Sequence, residues 1–460
     1  MSRGRKIVRQ SIHSGVFYLF YTGSRVLLAL ALGKTLSLAE YGSYSLITAF
    51  IGLGIAAFSF NAFQYIVREV PGRPSSESAS LLKSILLCET ILLAAAAGVL
   101  CSPLIGDRLA RLLGLSAENR FVAWIGLLLI GENTATELMR YLYARKEIEK
   151  GNLVSFLQNS LWPIALFWLF LLSPKMLGLP LLLMAWTAGL IGAIGYGLKQ
   201  TGLKELWRAP FQPKIYRQAV LFGFPMTLTY SVVIANWAGR FMLSGFHSPA
   251  VVGVFSYHLN IILMISALSA PLIANPIDPY VTDAYNTGRP QESGLLLSAA
   301  LRWRILLVLP ILLLAVAWEK NLVTLLARPE YASGGRLLAL LSPIPILNAF
   351  GATYERVLFL QRRTGAIGRC YLIAGLIQIL LYGALVPWNP YGGAAAATVA
   401  GLLVLVLLMG HQARKADLSI QWGARSFFAE VRTLKEILWR TSFAFSGEVT
   451  RMAKQRPLAS

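Results

Sequence analysis

The sequence predicts an all-α polytopic membrane protein, with about 12 transmembrane helices in two six-helix bundles around a central cavity. Three observations lead there. Of 460 residues, 56% are hydrophobic and only 14% charged, with a mean hydropathy of +0.60. A soluble domain carries about 25% charged residues, and a disordered chain could not leave so much apolar surface in water. The charges cluster between apolar runs long enough to cross a bilayer, each needing ~20 mostly apolar residues. Finally, the chain repeats itself at an offset of 211.

Apolar runs bounded by charge or by Pro and Gly place the spans at 14–33, 43–67, 81–104, 121–141, 152–172 and 179–198, then at 217–244, 251–275, 296–318, 337–358, 366–387 and 393–412. The first run follows Arg3, Arg5, Lys6 and Arg9 and contains Ala29-Leu30-Ala31, which mimics a signal sequence. Arg25 interrupts it and no soluble domain follows, so it reads as an uncleaved first helix. Lys and Arg concentrate in loops on the N-terminal side, as in Arg140 to Lys150 and Lys199 to Arg217, which places both termini in the cytoplasm.

The repeat pairs Leu36-Ser37-Leu38-Ala39-Glu40-Tyr41-Gly42-Ser43-Tyr44-Ser45 with His247-Ser248-Pro249-Ala250-Val251-Val252-Gly253-Val254-Phe255-Ser256. Ser, Ala, Gly and Ser match, and Tyr stands against Phe. Each copy joins the first two spans of a six-helix half. Residues 1–205 then form an N-terminal bundle and 206–412 a C-terminal bundle, related by an axis along the membrane normal. Residues 413–460 read as a basic amphipathic cytoplasmic tail. There Phe427, Phe428, Val431, Leu434 and Leu438 lie opposite Arg425, Arg432 and Lys435, which suits a helix on anionic lipid. Pro225, Pro271, Pro276, Pro310, Pro343 and Pro345 lie within spans or at their ends, where they favour bending.

Several function classes are excluded. Lys and Arg number 42 against 21 Asp and Glu, a net +21, but most of these cations flank hydrophobic runs. Membrane lipids are therefore the expected partners and nucleic acid is not. Cys88, Cys101 and Cys370 have no disulfide or zinc spacing, and His13, His247, His258 and His411 form no metal-binding pair, so no metal is expected. Gly33-Lys34-Thr35 resembles the end of a phosphate loop, but Leu28 stands where that loop requires Gly. No catalytic residues and no cofactor are predicted, and the loops are too short for a catalytic domain.

The motif from Leu36 to Ser45, followed by a helix ending in Val67-Arg68-Glu69, resembles the first hairpin of bacterial polysaccharide flippases. These form the Wzx, or O-antigen translocase, branch of the MOP exporter superfamily. Pro390-Tyr391-Gly392-Gly393-Ala394-Ala395-Ala396-Ala397-Thr398 resembles the signature opening that family's twelfth helix. The resemblance covers roughly residues 10–412. It implies a transporter rather than an enzyme, one that moves an undecaprenyl-pyrophosphate-linked oligosaccharide to the outer leaflet of the bacterial inner membrane by alternating access. It also implies a role in O-antigen or lipopolysaccharide synthesis, coupling to H+ or Na+, and a polysaccharide polymerase and chain-length regulator as partners. One departure is plain: the family often has an acidic residue before the arginine of helix 7, and here Gly239 precedes Arg240.

Charge within a bilayer costs ~2.5–3.5 kcal/mol at a helix centre, so intramembrane polar residues are the site candidates. Tyr18, Tyr21, Thr22 and Arg25 form one stripe on span 1. The Arg25 guanidinium either holds a pyrophosphate through paired hydrogen bonds or pairs with a neighbouring carboxylate. Arg240 either contacts ligand or snorkels to the interface. Asn236, one turn before it, is the repeat equivalent of Arg25. Asn61, Gln64 and Arg68 share a face of span 2 that either binds sugar hydroxyls or satisfies itself. Tyr257 and Asn260 make a shorter stripe on span 8.

Gly131-Glu132-Asn133-Thr134-Ala135-Thr136-Glu137 is an unusually polar stretch for mid-membrane. Glu132 is the first ion-coupling candidate, with partnership to Arg25 as its alternative, and Glu89 is the second. An antiporter for drugs or other cations in the same superfamily would instead favour carboxylates in the first helix. A membrane glycosyltransferase or polymerase would need longer outer loops.

Overall fold

The structure, a computed structural model, describes residues 3–71, 73–115, 120–269 and 273–415. The predicted tail helix and Pro271 thus lie outside the described residues. Among those described there is no strand. Eleven helices are long and apolar enough to cross a membrane. They are α1 (Arg3–Thr35), α2 (Leu38–Ser59), α3 (Ser75–Leu100), α5 (Ile148–Leu172), α6 (Leu179–Thr201), α7 (Pro213–Phe246), α8 (Pro249–Ser269), α9 (Pro290–Ala317), α10 (Leu337–Leu360), α11 (Thr364–Leu385) and α12 (Pro390–Arg414). Between α3 and α5 comes α4 (Arg120–Ala144), equally long but less apolar because it carries Glu132, Glu137 and Arg140. It packs between α3 and α6. Each of these twelve helices overlaps one of the twelve predicted spans, and the architecture is all-α with two bundles around a central cavity.

Several helices are broken where the sequence reading drew them continuous. The span predicted at 43–67 is two pieces: α2 ends at Ser59, Phe60 and Asn61 take left-handed φ values of 49° and 55°, and a short helix follows at Phe63–Glu69. Within α5 the chain widens into a π turn at Leu157–Leu161. Pro163, which has no N–H to offer the carbonyl four residues back, stands just beyond it. In α7, Pro225 precedes a 3-10 turn at Leu228–Tyr230. The first part of α7 packs against α3 and the Phe63–Glu69 helix, and the second part against α11 and α8. Helix α7 therefore straddles the bundles.

The two copies of the repeat meet each other at one end of the molecule. Ser37 caps α2 in a reciprocal box: its Oγ accepts from the Glu40 N–H at 3.3 Å, and its own N–H donates to Glu40 Oε2 at 2.9 Å. Such a cap contributes about 1 kcal/mol. In the second copy the Val251 N–H points to Ser248 Oγ at 3.5 Å. Next, Gly42 and Gly253 let the backbones touch. A Cβ on Gly42 would lie 1.7 Å from the Pro249 carbonyl oxygen, and one on Gly253 would lie 2.0 Å from that of Leu38. One turn on, Ser45 donates to Ser256 at 2.6 Å. Both pairs are separated by 211 residues, so the pseudo-twofold axis of the repeat runs through this α2–α8 seam. Elsewhere the small residues Gly393, Ala397 and Gly401 of α12 are buried, and Gly393 and Gly401 lie against α11.

Candidate binding cavity

Between the bundles, below the α2–α8 seam, lies a cavity of about 500 Å³. Tyr21 and Arg25 of α1, Tyr44 and Ser45 of α2, Trp237 and Arg240 of α7 and Asn260 of α8 contribute to its wall. Beyond the seam a tyrosine cluster closes it. The Tyr41, Tyr257 and Tyr331 rings meet with centroids 4.8 to 5.8 Å apart, an arrangement favourable for aromatic quadrupoles. The Tyr331 hydroxyl donates to the Leu36 carbonyl at 3.3 Å. Lys34 holds the segment beside it by donating to the Thr324 and Ala327 carbonyls at 2.8 and 3.0 Å. At the opposite end the cavity adjoins, through Tyr21, a second space of about 510 Å³ beside α1 and α5, lined partly by Tyr18, Asn152 and Ser155. The site is thus sealed at the seam end and continues toward the other.

Its charge is one-sided. Both arginines line it, and no Asp or Glu is among the described lining residues. Arg25 Nη2 donates to Asn159 Oδ1 at 3.3 Å, its guanidinium lies 5.4 Å from the Tyr21 ring centre, and its buried Nε has no hydrogen-bond partner. Arg240 Nη1 donates to the Ser45 carbonyl at 3.3 Å, and its Nε is likewise without a partner. Arg240 is buried, at 9% exposure, rather than reaching an interface. Two cations with unsatisfied donors in a low-dielectric wall suit an anion, which would supply the missing acceptors through charge-assisted bonds.

The remaining sequence candidates are distributed differently. Asn260 lines the cavity and donates to the Tyr41 hydroxyl at 3.0 Å. Tyr257 belongs to the closing cluster. Asn236 turns into the C-terminal bundle, where its Oδ1 accepts from Gln378 Nε2 at 2.7 Å and from the Tyr382 hydroxyl at 3.5 Å. Asn61 sits at the α2 break and donates to Thr227 at 3.0 Å, with Gln64 half-buried beside it in the short helix. The break removes both from the cavity-facing line of α2, so their predicted shared face does not continue into the site.

Glu132 and Arg25 feel each other's charge but make no contact-distance ion pair among the described residues. It accepts from Gln158 Nε2 and from Trp186 Nε1. The π turn connects the two: Gln158 reaches α4 while the adjacent Asn159 reaches Arg25 on α1. Glu89 is fully buried within the N-terminal bundle, away from the cavity wall, and accepts from Asn133 Nδ2 at 2.7 Å. Sequence reasoning missed Asn159, Trp237, Tyr41 and Tyr44. The signal available for Asn159 was Pro163, four residues later; Tyr41 and Tyr44 stood inside the repeat.

A family model described as polysaccharide biosynthesis protein matches residues 13–284. None of the curated proteins matches the chain. Among solved structures the chain is similar to a lipid II flippase, MurJ, in an inward closed conformation, with a TM-score of 0.68 at 14% identity over 95% of this chain and 93% of that one. It is also similar to an inward-facing multidrug resistance MATE family transporter of the MOP superfamily, with a TM-score of 0.63 at 14% identity over 86% and 95%. An outward-facing MATE transporter gives 0.53 at 14% identity over 88% and 94%. The chain shares the fold of these membrane transporters.

Proposed function

Because the chain belongs to the polysaccharide biosynthesis protein family, we propose that it is a flippase for a lipid-linked oligosaccharide, carried on undecaprenyl pyrophosphate, in the bacterial inner membrane. The observation that carries this reading is the wall holding Arg25 and Arg240 with no carboxylate among the described lining residues. A pyrophosphate supplies the acceptors that both arginines lack, and the hydroxyl of Tyr44, the carboxamide of Asn260 and the indole of Trp237 suit a glycan beside it. The polyprenyl tail stays in the bilayer, so no covalent step is needed.

In this reading both termini are cytoplasmic, following the Lys and Arg bias of the loops. The seam then lies on the outer side, and the cavity faces inward to load. Residues 1–205 and 206–412 are the two bodies that rock about the seam, with α7 bent between them. Movement ends when the seam parts and the inner end closes. A role in O-antigen or lipopolysaccharide synthesis beside a polymerase and chain-length regulator follows from the same reading.

The test uses purified protein in proteoliposomes with an undecaprenyl-pyrophosphate oligosaccharide, its movement reported by a glycan-modifying enzyme added outside. Protein-dependent movement supports the reading. Export of a small organic cation with no movement of any lipid-linked glycan would replace it with the cation antiporter.

A further inference from the structure

The N-terminal bundle holds a second charged feature that the cavity does not use. Asn133 and Glu137 lie one turn apart on the α4 face that packs against α3, and Asn133 Nδ2 donates to Glu89 Oε2 at 2.7 Å. Glu89 is 0% exposed and Glu137 1%. Each keeps one carboxyl oxygen, Glu89 Oε1 and Glu137 Oε2, buried without a hydrogen-bond partner. Glu132 differs, since both of its oxygens accept from neighbours.

Few groups are available to neutralise the pair. Arg140, one turn further along the same helix, faces Glu137 and acts on it through its charge, but it lies over the Phe63 ring and makes no contact-distance ion pair among the described residues. The Cys88 thiol sits beside Glu89. From α7 the Tyr216 hydroxyl faces Glu89 but is committed to the Phe58 carbonyl at 3.3 Å. Two ionised carboxylates in such a dry interface repel strongly, and one proton taken up by either of them removes the conflict. A cleft of about 320 Å³ at the end remote from the seam is lined by Ser76, Ser80 and Gln212. From it, Ser84 accepts from the Gln212 N–H at 2.9 Å and stands about 8 Å along α3 from Glu89.

We propose that Glu89 and Glu137 form a proton-binding dyad between α3 and α4, holding one exchangeable proton reached from the end remote from the seam. Its use in driving transport rests on the flippase reading; the binding of the proton does not. Loading takes one proton from water onto the unpartnered oxygen of either carboxylate, and release returns it.

Infrared pH-difference spectroscopy on purified, substrate-free protein tests the binding. The expected result is a carboxylic-acid band that titrates as one proton per chain and is lost in both Glu89→Gln and Glu137→Gln. Each substitution keeps the shape and adds a donor, so the fold survives. A titrating band left intact by both substitutions, or lost in only one of them, would overturn the shared proton. Bleaching of the band by Na+ at constant pH would overturn it in favour of a metal cation. In proteoliposomes the same variants should lose the response to a pH gradient while downhill movement continues. If the wild type moves no lipid-linked glycan, the flippase reading fails and the infrared result still decides the dyad.

Discussion

The two repeats agree at the seam and diverge a few turns away. At the seam, Gly42 faces the second copy as Gly253 faces the first, and Ser45 bonds Ser256, its own equivalent. Deeper in, Arg25 corresponds to Asn236. One projects a guanidinium toward the cavity, and the other is tied into a neutral network with Gln378 and Tyr382. The bundle interiors differ in the same sense. The N-terminal one buries the carboxylates Glu89 and Glu137, whereas the C-terminal one buries no carboxylate among the described residues but holds the cation Arg304 and, around Tyr382, Gln378 and Thr398, with the Tyr382 hydroxyl 2.6 Å from Thr398 Oγ1. The lesson is a division of labour. Contacts on the pseudo-axis are constrained to match because each copy meets the other, while residues off the axis are free to specialise for ligand and ion.

The largest expected effect comes from fixing the shared part. With Oγ atoms 2.6 Å apart, Ser45→Cys with Ser256→Cys should form a disulfide in the seam-closed state. In a background lacking Cys88, Cys101 and Cys370, oxidation should arrest transport completely and reductant should restore it. Unchanged transport in the oxidised double variant would show that the seam never parts. Next comes Gly253→Val, which forces a side chain onto the Leu38 carbonyl. Overpacking of this kind costs ~1–3 kcal/mol, enough to depopulate the closed seam. Labelling of an engineered cysteine in the cavity from the outer side should rise accordingly.

A third effect tests the divergent part. Arg25→Asn copies the residue at the equivalent repeat position, removing the cavity's cation on α1 while keeping a polar side chain. Loss of charge-assisted bonds worth ~1.5–3 kcal/mol predicts roughly ten- to hundredfold weaker binding of the pyrophosphate-linked substrate. Binding measured on detergent-purified protein, beside a melting curve matching wild type, separates ligand contact from folding. Equal affinity would place the anion elsewhere and leave the asymmetry at this position without a ligand role.

Much of the fold was legible in the sequence because the bilayer imposes it. Span length, the polar loops and the repeat located all twelve helices, and Arg25 stood out because charge is costly there. What the sequence did not disclose depends on contacts between distant segments. The break at Phe60 and Asn61 has no proline or glycine to announce it, and it is what takes Asn61 and Gln64 off the cavity face. Asn236 faces its own bundle because Gln378 and Tyr382, more than a hundred residues later, come to meet it. Glu132 and Glu137 looked alike within one polar stretch. Only the packing of α3, α5 and α6 around α4 gives the first two donors and leaves the second an unpartnered oxygen.

The smallest effect belongs to Gln378→Leu, and it bears on whether the neutral network around Asn236 is scaffolding. Gln378 is fully buried; its Nε2 donates to Asn236, while its Oε1 has no partner. Leucine removes a hydrogen bond worth about 1 kcal/mol net, but it also removes a buried acceptor that was costing energy unpaired. The two terms oppose each other, so the melting temperature should move by only a few degrees in either direction. Asn236 keeps the Tyr382 hydroxyl, and no cavity residue is touched, so transport and its response to a pH gradient should both match wild type. A Gln378→Leu protein that folds and transports but no longer responds to the gradient would move ion coupling into the C-terminal bundle. The division of labour between the repeats would then be reversed.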